Sequence, residues 1–110
     1  MIMDKRVLIE AAAEAALKAY APYSGLRVGA AVLGNDDRIY TGANIENASF
    51  GLTVCAERNA VAAAVLAGVR SIRAAAVFSP DYQGILYPCG ACRQVISEFG
   101  SPDTVIIVSD

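Results

Sequence analysis

R-V-G-A-A-V-L-G-N-D-D-R-I-Y-T-G-A occupies residues 27–43 and reads as two strands, Arg27 to Leu33 and Arg38 to Ala43, around the turn-forming cluster Gly34-Asn35-Asp36-Asp37. An antiparallel hairpin follows from that pattern. Before it, Asp4 to Ala21 carries Arg6, Glu10, Glu14 and Lys18 at every fourth position, with Leu8, Ala12, Ala15 and Ala19 on another face. This is an amphipathic helix in which Glu14 precedes Lys18 in the favourable order for an ion pair, and Ala21-Pro22-Tyr23-Ser24-Gly25 stops it. After the hairpin, Asn44 to Val54 shows neither period and reads as a loop. Cys55 to Gly68 reads as a second helix, Ser71 to Ser79 as a buried strand and Asp81 to Pro88 as a loop. Cys89 to Phe99 is a third helix, and Thr104 to Ser109 another buried strand. The order α-β-β-α-β-α-β makes an α/β layered sandwich with a mixed sheet.

At 110 residues the chain is the size of a single domain, 1–110, with one core. Apolar residues make up 55%, yet 21 of them are alanines, so small helix-favouring side chains dominate. The second helix is apolar nearly all round beyond Asn59, and so small a domain covers only one side of it, which implies a partner subunit on the other. The longest apolar run, Ala60 to Val69, is too short to span a bilayer, and the first ten residues lack the apolar core of an export signal. A cytoplasmic protein without membrane attachment is expected, which leaves the glycosylation pattern Asn47-Ala48-Ser49 without consequence. A net charge of −2 with no basic block argues against a nucleic-acid partner.

The chain contains no histidine, which removes Ser/His and Cys/His nucleophile systems and every His-based zinc site. Acid–base chemistry falls to Glu, Asp, Lys, Tyr or Cys. Three cysteines, an odd number, suit reduced thiols or metal ligands better than a disulfide framework. One lies in T-V-C-A-E-R at 53–58 and two in P-C-G-A-C-R-Q at 88–94, each segment opening an expected helix. Helix N-termini favour thiolate, and Cys89 and Cys92 share a face of the first turn. Cys55, Cys89 and Cys92 can thus converge on one Zn²⁺ and leave its fourth position for water. Three thiolates leave such a site negatively charged, which Arg58 and the helix ends would offset. Glu57, two residues after the first ligand, is the candidate general acid/base. Taken singly, these residues have blander readings. A buried cysteine is often a small apolar residue, a lone C-x-x-C also serves redox or structural zinc roles, Glu57 could be an ordinary first-turn carboxylate, and Arg58 a surface residue.

The pair C-A-E at 55–57 and P-C-G-A-C at 88–92 is the three-cysteine form of the zinc nucleobase deaminase signature. Together with Y-S-G-L-R-V-G-A-A-V at 23–32, G-A-N-I-E-N-A-S-F-G at 42–51 and P-C-G-A-C-R-Q-V-I at 88–96, it makes nearly the whole chain resemble the small cytidine deaminases. The resemblance implies the cytidine deaminase-like layered α/β/α sandwich and, for the three-cysteine branch, a homotetramer. It implies zinc-dependent hydrolytic deamination of cytidine and deoxycytidine, a pyrimidine-salvage reaction, with Cys55, Cys89 and Cys92 on the metal. Glu57 would carry a proton from water to N3 of cytosine and then to the departing amine, as hydroxide attacks C4. Asn44 and Glu46 would bind the ribose hydroxyl, the Ala56 N–H the base O2, and the Pro88 carbonyl the leaving amino group.

Three departures stand out. Leu26 occupies the place of the aromatic residue that usually packs on the base, and supplies apolar contact without stacking. Phe50 stands where the family often has tyrosine, which removes a hydroxyl contact across subunits. The family also continues past the strand ending near Ser109 with a Leu-Leu-Pro segment and an aromatic that closes a neighbour's pocket. With the sequence stopping at Asp110, that lid is either lacking or lies beyond it. G-I-L-Y-P-C-G at 84–90 also resembles blasticidin S deaminase, so a cytosine-nucleoside antibiotic is an alternative substrate, which Asn44 and Glu46 disfavour. A non-catalytic zinc-stabilised interaction module is an alternative of a different class, and base editing within polynucleotides is disfavoured by the acidic balance.

Overall fold

The computed structural model describes residues 4–84 and 90–108. Helix α1 spans Lys5–Ala16, strands β1 and β2 span Gly29–Gly34 and Ile39–Ala43, and helix α2 spans Ala56–Leu66. Strand β3 covers Ile72–Phe78, helix α3 Gly90–Phe99 and strand β4 Val105–Val108. The sheet order is β2-β1-β3-β4, with β1 antiparallel to both β2 and β3, and β3 parallel to β4. The sheet is therefore mixed, its parallel pair joined through α3.

Strand β1 is buried along its whole length because both of its faces are covered. Ala30 and Val32 point to one side and pack with Ala56, Ala60, Val61, Ala64 and Ile96, from α2 and α3. Ala31 and Leu33 point to the other and pack with Leu8 and Ala12 of α1. The alternation of a pleated strand thus divides the interior into two apolar layers. An α/β/α sandwich with a mixed sheet is the fold: the element order implies the layered sandwich and mixed sheet, and the family resemblance the α/β/α layering.

Two glycines set how closely the helices sit. A Cβ at Gly29 would fall 2.6 Å from the Ala16 nitrogen and run into the Ala12 carbonyl oxygen, so α1 lies directly on β1 there. A Cβ at Gly42 would fall 2.6 Å from the Ala56 oxygen and collide with the Ala60 nitrogen, so the first turn of α2 rests on β2. The hairpin turn closes through Asp37 N–H to the Gly34 oxygen, with Asp37 in the left-handed region at φ 65°. Helix α2 stops at Gly68, whose φ of 103° lets the Gly68 and Val69 N–H groups donate back to Val65 and Ala64.

Several expectations need correction. The first helix ends at Ala16 rather than Ala21, because Tyr20 is drawn into an isolated bridge with Ile45, through Tyr20 N–H to Asn44 O and Glu46 N–H to Tyr20 O. Lys18 therefore lies past the helix end, the pair with Glu14 does not form, and Ala16 rather than Ala19 completes the buried face. The first strand begins at Gly29, since the Leu26 carbonyl and the Val28 N–H turn to the Asn44 side chain, and only the Val28 carbonyl still bonds backbone, accepting from Asn44 N–H. The stretch 44–54 is not a plain loop: Ile45 also bridges Val54, and Phe50–Leu52 forms a 3-10 turn. Strand β4 is not buried throughout, because it is an edge among the described residues. Ile107 packs against the α1 layer, while Val105 and Ile106 are exposed. Helix α2 buries Ala56, Glu57, Ala60, Val61 and Ala64 against the sheet and α3, yet Leu66 on its outer side is 90% exposed.

Candidate active site

Cys55 is the N-cap residue of α2 and half-buried. The extended chain that delivers it is braced by the Ile45–Val54 bridge and by Asn47 N–H donating to Thr53 Oγ1 at 3.1 Å. Ala56 opens the helix with its side chain in the core, so its N–H is one of the first-turn donors that lack an intrahelical acceptor. Arg58 turns back over this end, its Nη2 donating to the Thr53 oxygen at 2.9 Å and lying 4.0 Å from Cys55 Sγ.

The Glu57 side chain is buried, 6% exposed, in the first turn of α2. Cys92, fully buried in the first turn of α3, donates its thiol to that carboxylate. Burial pushes the Glu57 carboxyl above its ordinary value, and its own N–H, the Cys92 thiol and the Arg58 charge pull partly the other way. The first turns of α2 and α3, which carry Glu57 and Cys92, are thus brought together. Cys89 and Pro88 lie outside the described residues. Among the described residues no group of three metal-ligating side chains forms, the described thiols being Cys55 and Cys92.

Asn44 and Glu46 both engage the segment before β1. Asn44 is buried, with Oδ1 accepting from Val28 N–H at 2.8 Å and Nδ2 donating to the Leu26 oxygen at 2.9 Å. Glu46 accepts from Tyr23 N–H at 2.9 Å, Ser24 N–H at 3.1 Å and Ser24 Oγ at 2.5 Å. The Ser24 hydroxyl, with help from those N–H groups, holds the Glu46 carboxyl below its ordinary value. Leu26, half-buried, lies between these attachments.

Arg27 and Asp81 belong to the same neighbourhood, and sequence reasoning missed both. Asp81 Oδ2 accepts from Arg27 N–H at 2.9 Å and Nε at 2.8 Å, and Oδ1 from Nη2 at 2.9 Å. These bonds hold the Asp81 carboxyl down to about 2, against an ordinary value of 3.8. Its folded-state value being depressed, the pair's contribution to stability is present above pH 3.8 and is lost as pH falls through about 2. The Asp81 carboxyl should titrate near 2 by NMR in the unaltered chain and close to its ordinary 3.8 in Arg27→Met. A titration near the ordinary value in the unaltered chain would show the pair broken in solution.

A cavity of about 730 Å³ opens between α3 and β4, lined by Ile96, Pro102, Thr104 and Ile106 among others. It includes none of the candidate site residues. It is a surface groove along the edge strand.

Residues 3–108 match the family model described as the cytidine and deoxycytidylate deaminase zinc-binding region. The cytidine deaminase of Sporosarcina psychrophila is 53% identical over 97 residues, covering 88% of this chain and 71% of the relative. That of Halalkalibacterium halodurans is 47% identical over 108 residues, covering 98% and 81%. Among solved structures, cytidine deaminase from Burkholderia pseudomallei superposes with a TM-score of 0.89 at 48% identity, covering 97% of this chain and 85% of that one. The Mycobacterium tuberculosis cytidine deaminase gives 0.89 at 43% identity, covering 96% and 85%. Such matches make the chain an enzyme of the hydrolytic deaminase class. It belongs to the cytidine and deoxycytidylate deaminase family.

Proposed function

We propose that the zinc-loaded protein hydrolyses cytidine and deoxycytidine to uridine and deoxyuridine, releasing ammonia. The observation that carries this reading is the buried Glu57 carboxylate in contact with the Cys92 thiol where two helices begin. The donor set suits zinc: Cys55 and Cys92 sit at helix starts, Cys89 is three residues before Cys92, and the Arg58 guanidinium near Cys55 Sγ offsets thiolate charge. Cys55, Cys89 and Cys92 would hold the ion, whose chemistry when bound would be to lower the pKa of water. Glu57 takes the proton released, passes it to N3 of the base and then delivers a proton to the amine that leaves C4. Leu26 gives the base an apolar wall, the Ala56 N–H holds O2, and the Pro88 carbonyl accepts from the amino group. Asn44 and Glu46 contact the ribose while keeping the 23–28 segment in place.

In this reading residues 1–110 act as one catalytic domain in the cytoplasm, serving pyrimidine salvage as a homotetramer. Phe50 at 91% exposed, Leu66 at 90% and Leu52 at 65% support the assembly, since a second copy covering them removes apolar surface from water. Among the described residues no helix is long and apolar enough to cross a membrane.

Zinc per chain and the loss of cytidine absorbance, measured on one sample, test the reading. We expect one zinc per chain, turnover that a chelator abolishes and stoichiometric zinc restores, and a solution mass of four chains. A fully active metal-free protein refutes the assignment. Activity on blasticidin S and none on cytidine would favour the antibiotic as substrate.

A further inference from the structure

We propose that Arg27 and Asp81 form a clasp that fixes the backbone on either side of Leu26, and so sets how tightly the enzyme holds the substrate base. The inference rests on the reading of Leu26 as the apolar wall for that base.

Every peptide group around Leu26 is tied. Its N–H donates to Ser24 Oγ at 3.0 Å, and that hydroxyl is itself held by Glu46. Its carbonyl accepts from Asn44, and the next N–H, that of Arg27, donates to Asp81. The Val28 N–H beyond returns to Asn44. Residue 27 is thus the single link between two groups gripped by one asparagine, and its own attachment runs to a different part of the chain. Immediately before Leu26, Gly25 stands at φ 73°, a backbone state that glycine adopts without strain, so the segment has little intrinsic stiffness of its own.

Asp81 is suited to the task because it is anchored in turn. It follows β3, and its N–H donates to the hydroxyl of Ser79, a buried residue, at 3.2 Å. Its two oxygens take the planar guanidinium fork of Arg27 and the main-chain N–H together, which determines direction as well as distance. The ion pair remains 41% exposed on the Arg27 side and 26% on the Asp81 side, so solvent screens it and it adds little to global stability. What it supplies is orientation. These are positioning residues that act through Leu26, and a lysine at 27 would keep the charge without the fork.

The zinc-loaded full chain and its Arg27→Met, Arg27→Lys, Asp81→Asn and Arg27→Met/Asp81→Asn variants should be compared for kcat, KM, zinc content and melting temperature. We expect Arg27→Met and Asp81→Asn each to raise KM for cytidine about tenfold with kcat within about twofold. Arg27→Lys should fall in between, and the double variant should be little worse than Asp81→Asn alone, as coupled partners require. Zinc content and melting temperature should stay near those of the unaltered chain. An unchanged KM overturns the proposal. So does a parallel fall in melting temperature, zinc and kcat at constant KM, which is what a merely structural pair would give. Failure of the unaltered zinc-loaded chain to deaminate cytidine overturns the proposed function and this inference together, whereas turnover with insensitive variants overturns only the inference.

Discussion

The Glu57→Gln protein should fold, bind zinc as the unaltered chain does, and deaminate cytidine at least about a thousandfold more slowly. The substitution preserves shape and leaves an oxygen facing the Cys92 thiol, so packing between the first turns of α2 and α3 survives. It removes a carboxylate that burial already disfavours in its charged form, so the melting temperature should hold or rise. The group that receives and returns the proton is gone, because an amide is neither basic enough to accept it nor acidic enough to donate it. Metal analysis, thermal unfolding and cytidine turnover on one preparation separate these effects. Turnover within tenfold of the unaltered chain would remove Glu57 from the reaction, and a chain inactive in both forms would point to a zinc-stabilised module instead.

Gly42→Ala should act in the opposite way, damaging the scaffold first and the chemistry through it. The added methyl would meet the Ala56 oxygen, the Asn59 carbonyl carbon and the Ala60 nitrogen, all backbone atoms of α2, so no side-chain rotation relieves the clash. The helix must lift from β2, at a cost of about 3 kcal/mol and about 10 °C in melting temperature. Since Cys55 and Glu57 ride on that first turn, zinc affinity and kcat of the folded fraction should fall as well. Two further alanine variants serve as controls. Gly29→Ala forces α1 away from β1 and should lower stability while leaving zinc binding by the folded fraction intact. Gly51→Ala, which meets nothing, should be nearly neutral. Equal stability of the Gly42→Ala and Gly51→Ala proteins would show that the close approach of α2 to β2 is not required.

Much of the architecture could be read from residue order because its determinants are local. The turn at 34–37 announces the hairpin, and alternation along β1 places Ala30 and Val32 opposite Ala31 and Leu33. Features decided by distant partners were not legible. The early end of α1 depends on Tyr20 reaching Ile45, and the exposure of β4 depends on its place at the sheet edge. The site divides in the same way. Cysteine spacing and the adjoining Glu57 carried a chemical signature within a few residues. Asn44 and Glu46, two apart on an extended stretch, had the spacing for one shared face, a signal that could have revealed their joint hold on residues 23–28. Asp81 offered no such cue, because its partner lies 54 positions away.

The alanine-rich interface between sheet and helices gives the protein an asymmetric tolerance to sequence drift. Ala12, Ala30, Ala31, Ala56, Ala60, Ala64, Ala74, Ala75 and Ala76 line its interior, and at those positions truncation has almost nothing to remove. Growth by even one methyl group has nowhere to go. Lineages carrying this scaffold should accept bulk on its outer surfaces and refuse it at the seams, and directed evolution for new substrates will find its freedom in the 23–28 segment rather than beneath the helices.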